Sequence, residues 1–156
     1  MTEHTKTQYG VHNIKKDSEM NRKRMKRMEN FLAYFIAVIH FGIKYECKCY
    51  WYKDLRNPKN NRRLDGTYDP KENGRSKILI DDHVIKKPLR AAKTLFHEGI
   101  HHAFLLRGKI SDEDMTLQFE EMCWSLMSQK QKHFFIKLLP KKYHPISRKY
   151  SKRPRA

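Results

Sequence analysis

One segment constrains this chain more than any other: Thr94-Leu95-Phe96-His97-Glu98-Gly99-Ile100-His101-His102-Ala103-Phe104. It contains His-Glu-x-x-His, a spacing whose chemistry depends on a helix. Residues four apart on an α-helix share a face one turn apart, so the imidazoles of His97 and His101 converge on one point. That is half of a zinc site. Glu98, about 100° further round the helix, reaches a water on the metal rather than the metal itself. Phe96, Ile100 and Ala103 make an apolar stripe beside the histidines, as expected of a helix packed on a core. The chain has nine histidines and nine glutamates in 156 residues, and shuffling it gives this pattern only about 0.03 times. The segment therefore predicts a core helix holding one zinc ion per chain, with His97 and His101 as ligands and Glu98 as general base.

The remaining pattern supplies a setting for that helix. Residues 1–17 are polar and aperiodic and are expected to be a flexible lead-in. From Ser18 a helix is expected, basic in its first half and then carrying Leu32, Phe35, Ile36 and Ile39 at spacings of three and four, with Gly42 as its stop. Ile43, Tyr45, Cys47, Cys49 and Trp51 alternate like a half-buried strand. Leu64–Tyr68 and Lys77–Ile80 are two further short strands around the turn residues Asp69-Pro70 and Asn73-Gly74. Ile78–Ile80, leading toward the zinc helix, is either a sheet edge that an extended substrate joins as another strand or an interior strand. Pro88 opens the zinc helix and Gly108 ends it. Ser111 caps the next helix, which carries Met115, Phe119, Met122 and Leu126 as its apolar stripe. A short helix around His133–Leu139 stops at Pro140. The expected fold is α+β: a single domain over 18–140, with a short, mostly antiparallel sheet and two core helices.

A catalytic zinc takes a third protein ligand. A third histidine six residues after the second is excluded, because that position is Arg107 and the expected glycine position is Phe104. A carboxylate on the following helix remains, and Glu120-Glu121 stands there. Glu120 is preferred because it flanks the side bearing Phe119 and Cys123, with Glu121 turned further toward solvent. Three other residues border the site. His102 points away from His101 and reads as a surface histidine. His83 is a candidate for oxyanion stabilisation and Tyr68 a packing aromatic with a similar claim.

Strand, turn, strand, a helix with His97-Glu98-x-x-His101 and then a helix with Glu120-x-x-Cys123 together resemble the small zincin (HExxH) metallopeptidases of the ImmA/IrrE type, over residues 64–128. These are common in phages, mobile elements and stress regulation. The small residue three places after the glutamate is alanine in that family and Cys123 here. The resemblance implies a zincin-like fold and limited proteolysis of a protein substrate, often a DNA-bound regulator. SprT- and Spartan-like proteases are the second choice. They are expected to supply a downstream histidine in a His-Gly-like context, which neither His133 nor His144 has.

Charge then speaks to location. Lys and Arg number 34 against 17 Asp and Glu, a net charge of +17. The excess lies in the flanks, at residues 22–27 and in a basic tail over 141–156 that is expected to be mainly disordered. Such flanks attract phosphate backbones, so a nucleic-acid partner is expected beside the protein substrate. The competing class is a basic nucleic-acid-binding protein without enzymatic activity, its metal structural or absent. Cys47, Cys49 and Cys123 are too few for a disulfide framework, which fits a cytoplasmic chain. The longest apolar run, Phe31–Phe41, is well short of the roughly 18 residues of a membrane span, so no membrane partner is expected.

Overall fold

The computed structural model describes residues 4–70, 74–106 and 112–146. It is α+β, with four helices and a small three-stranded mixed sheet. The chain divides into two compact units, residues 1–36 and 37–156.

Helix α1 spans His4–Phe41, so it begins inside the stretch expected to be a lead-in. Ile36 and Ile39 are buried on it and Leu32 and Phe35 half-buried, as their spacing predicts. In the first unit, Met25, Met28, Phe31 and Tyr34 are exposed, and the rings of Phe31 and Phe35 stack 6.3 Å apart.

In the second unit Gly42 does not stop the helix. A π-helical turn over Gly42–Glu46 follows, burying Ile43, so the alternation that begins at Ile43 becomes a strand only at Cys47. Strand β1 is Cys47–Tyr52, β2 is Gly66–Asp69 and β3 is Ser76–Asp81. Their order is β1-β3-β2. β2 and β3 pair antiparallel, but β1 and β3 pair parallel over six residues, so the sheet is mixed rather than mostly antiparallel. The physical reason is the long connection from Tyr52 to Gly66, which carries the chain past the central position before β2 forms and leaves that position to β3. Ile78 and Ile80 are accordingly fully buried in an interior strand. Residues 142–144, expected to belong to a disordered tail, lie along the outer side of β1: the Trp51 amide donates to the Lys142 carbonyl and the His144 amide to the Trp51 carbonyl. The rest of that tail, 147–156, is outside the described residues. β2 is thus the edge strand left beside the helix that carries His97 and His101.

Helix α2, Pro88–Leu106, supplies the fully buried Ala91, Ala92, Leu95, Phe96 and Ile100. Phe96 meets Phe135 edge-on at 5.1 Å. Gly99 allows the close packing of α2 on the last turns before β1, since a Cβ there would lie 2.6 Å from Ile43 Cδ1 and 2.8 Å from Ile39 Cγ2. Helix α3 spans Glu113–Leu126. Its cap is Asp112, whose carboxylate accepts from the Met115 amide; Ser111, the expected cap, lies outside the described residues. The stripe Met115, Met122 and Leu126 faces outward, and the buried face is Thr116, Glu120, Cys123 and Met127. Helix α4, Gln129–Ile136, starts on a capping box between Ser128 and Gln131.

Candidate metal centre

The helix dictated by His-Glu-x-x-His forms, and it brings the two histidines together. Nε2 of His97 and Nε2 of His101 are 3.3 Å apart. Two nitrogens bound at 2.0–2.1 Å to one tetrahedral zinc ion stand about 3.3 Å apart, so this separation fits a shared ion. His97, Glu98 and His101 bring one donor atom each to a single place able to hold a metal.

Glu98 is buried where burial matters chemically. Its carboxyl is pushed up to about 7, first by the loss of water around it and then by Glu113 and Glu120, with His97 opposing. A group that binds a proton near neutrality can both accept and return one. Burial also holds the His101 imidazole below its ordinary value, with His97 adding to the effect. Burial acts the same way on His97, but Glu120, Glu98 and Glu113 outweigh it and raise that value.

The carboxylates of α3 divide between the two edges of the His97 ring. Glu120, turned inward and buried, places Oε2 2.8 Å from Nδ1. Glu121 turns outward, where it pairs with Lys93 at 2.7 Å. Glu120 thus faces the site and Glu121 does not, although Glu120 meets the ring nitrogen remote from His101. Glu113, on the first turn of α3, takes the other edge: Oε1 is 2.8 Å from Nε2 of His97 and Oε2 is 3.0 Å from Nε2 of His101.

A cleft of about 460 Å³ opens in front of this group, with Glu98, His101 and Glu113 on one wall and Gly66, Thr67 and Tyr68 of β2 on the other. Gly66 sets the closeness of the walls, since a Cβ there would lie 2.5 Å from Thr94 Cγ2. Tyr68 donates to Ser76 Oγ at 3.1 Å, and its hydroxyl lies 2.8 Å from Nδ1 of His102. His102 is buried rather than on the surface, tying α2 to the edge strand.

His83 lies elsewhere, between Asp81 and Asp65, and does not line the cleft. Burial drives the thiols of Cys47 and Cys49 up to about 12, so they are neutral strand side chains. Sequence reasoning did not single out Glu113, on the first turn of α3. The seven-residue step to Glu120, two turns along one face, was the signal available. No family model, curated protein or solved structure matches the chain.

Proposed function

We propose that this chain is a zinc-dependent metallopeptidase that hydrolyses peptide bonds of a protein substrate. The observation carrying the proposal is the pair of Nε2 atoms 3.3 Å apart, with the buried carboxyl of Glu98 beside them at the wall of a cleft. His97 and His101 would hold the ion together with a carboxylate of α3. When bound, zinc supplies Lewis-acid activation of a water and of the scissile carbonyl. Glu98 takes the proton of the attacking water and passes it to the departing amine, a shuttle suited to a carboxyl that titrates near 7.

Edge strand β2 supports a peptide substrate over a small molecule. It forms the wall facing Glu98 and, as the last strand of the sheet, offers backbone groups to which an extended chain can add. The motif order that resembles ImmA/IrrE-type proteins points to the same class. The exposed cations Arg22, Lys23, Arg24, Lys26 and Arg27 on α1 favour substrates associated with nucleic acid.

The test is metal content of the purified chain, followed by cleavage of a peptide library. Zinc at one per chain is expected, lost in His97→Ala and His101→Ala. Glu98→Gln is expected to keep zinc and lose cleavage by about 10²–10⁴-fold. A chain that takes up no zinc would leave only the non-enzymatic nucleic-acid-binding reading.

A further inference from the structure

We propose that Glu113 supplies the third protein ligand of this metal centre and that Glu120 is a positioning residue acting through His97. The inference rests on the reading of the site as a zinc centre and changes which carboxylate completes it.

The argument begins with the two edges of one imidazole. Glu120 Oε2 sits at Nδ1 of His97. A carboxylate there fixes the ring proton on Nδ1 and leaves the Nε2 lone pair directed to the opposite edge. Nε2 is also the atom that meets Nε2 of His101, so the ion belongs on the edge away from Glu120. On that edge the carboxylate within hydrogen-bond distance of both nitrogens, among the described residues, is Glu113, with one oxygen 2.8 Å from His97 and the other 3.0 Å from His101.

Donor chemistry agrees. A carboxylate has only acceptor sites, and a ring nitrogen whose partner nitrogen holds the proton is an acceptor too. Acceptors that converge in this way need a proton or a cation among them. Among the described residues, no lysine or arginine pairs with Glu98, Glu113 or Glu120. A divalent cation bound by both imidazoles and Glu113 satisfies all of them at once, leaving Glu120 to hold the ring in place from behind, the usual arrangement of carboxylate, histidine and zinc.

Helix α3 is built to deliver both groups. Glu113 and Glu120 are two turns apart on one face, and the fully buried Thr116 between them presses that face inward. The Asp112 cap fixes the first turn, through its bonds to the Met115 amide and the Thr116 hydroxyl. The Glu113 side chain is 63% exposed, yet it is turned to the histidines.

Competition of the full-length chain against a chromophoric chelator gives Zn²⁺ affinity, and visible absorption of the Co²⁺ form reports its ligand set. Glu113→Gln is expected to weaken zinc by more than the roughly 10–100-fold typical of an outer partner and to alter the cobalt spectrum. Glu113→His should restore tight binding. Glu120→Gln should weaken zinc within that range and keep the wild-type cobalt spectrum. Wild-type affinity and spectrum in Glu113→Gln, or a changed spectrum confined to Glu120→Gln, would overturn the assignment while leaving the zinc centre in place. Failure of the wild type to bind either ion would instead remove the metallopeptidase reading itself. Because Glu113 is exposed, its replacement leaves the fold intact, which circular dichroism checks.

Discussion

Two histidines in this protein are each held between two carboxylates, and the contrast between them separates scaffold from site. His83 has Asp81 at Nδ1 and Asp65 at Nε2. His97 has Glu120 at Nδ1 and Glu113 at Nε2. Around His83 the chain provides its own cations: Arg63 reaches Asp81 at 2.9 Å and Arg90 reaches Asp65 at 2.8 Å. Around His97 no lysine or arginine pairs with Glu113 or Glu120 among the described residues, and a second imidazole and the buried Glu98 stand there instead. The same three-part pattern is closed where it fastens a loop to a strand end. Where the cleft opens, no described lysine or arginine closes it. On the proposed reading, charge balance, more than residue type, separates the structural cluster from the one that would hold an ion.

The closed cluster is where substitution should cost most stability. Asp81 is fully buried, accepts from the Leu55 amide and the Arg63 guanidinium, and pins residues 54–65 to the end of β3. Removing it strands a buried amide and unpairs the arginine. Asp81→Ala is expected to lower the unfolding free energy by roughly 3–5 kcal/mol, measured by urea denaturation. A loss no larger than that of an exposed ion pair would mean the cluster is incidental and the comparison empty.

The two clusters should also answer pH in opposite senses. In the metal-free fold Glu98 keeps its proton up to about 7, whereas its ordinary value is 4.5. Between those values the folded chain binds more protons than the unfolded one. Stability therefore falls as pH rises through that window, by about 3 kcal/mol in total. Burial works against Asp81 as well, but Arg63, His83 and the Leu55 amide outweigh it and hold the carboxyl below its ordinary 3.8. Its contribution is present above 3.8 and lost as pH falls through the folded value. Urea unfolding of metal-free protein from pH 3 to 8 should show both limbs, and Glu98→Gln should flatten the upper one alone. If wild type and Glu98→Gln lose stability equally between 4.5 and 7, the buried carboxyl is not its source.

These differences track what the sequence made visible. Helix α2 was legible because one local rule, the i to i+4 spacing of His97 and His101, coincides with an apolar stripe that its burial obeys. Helix α3 was legible as a helix, and Phe119 and Cys123 showed that Glu120 turns inward and Glu121 outward, but its hydrophobic stripe misled. Hydrophobicity pointed to Met115, Phe119, Met122 and Leu126, of which Phe119 is half-buried and the other three face outward, while the buried side carries Thr116, Glu120 and Cys123. A helix that lines a polar site buries its chemistry, so a hydrophobic stripe selects the wrong face. The parallel pairing of β1 with β3 was equally hidden, because strand alternation fixes which side chains share a face and says nothing about the neighbour. His102 was misplaced for a related reason: its partner Tyr68 lies 34 residues earlier, on a strand whose position depends on the whole sheet.

His102 gives the finest test of the comparison, because this buried histidine on α2 meets a phenol at the nitrogen where His97 meets Glu120. Its Nδ1 meets the Tyr68 hydroxyl at 2.8 Å, and Glu46 stands 3.5 Å from Nε2. A neutral phenol fixes a ring as well as a carboxylate does but adds no negative charge to the site. Tyr68→Phe should therefore cost about 1 kcal/mol of stability, the net worth of a hydrogen bond, by loosening β2 on α2. Zinc affinity should stay at the wild-type level, because neither His97 nor His101 loses a partner. Should Tyr68→Phe weaken zinc as much as Glu120→Gln does, the ion would depend on the rigidity of the cleft as a whole. The charge deficit around His97 would then be a consequence of the fold rather than the feature that prepares it for metal.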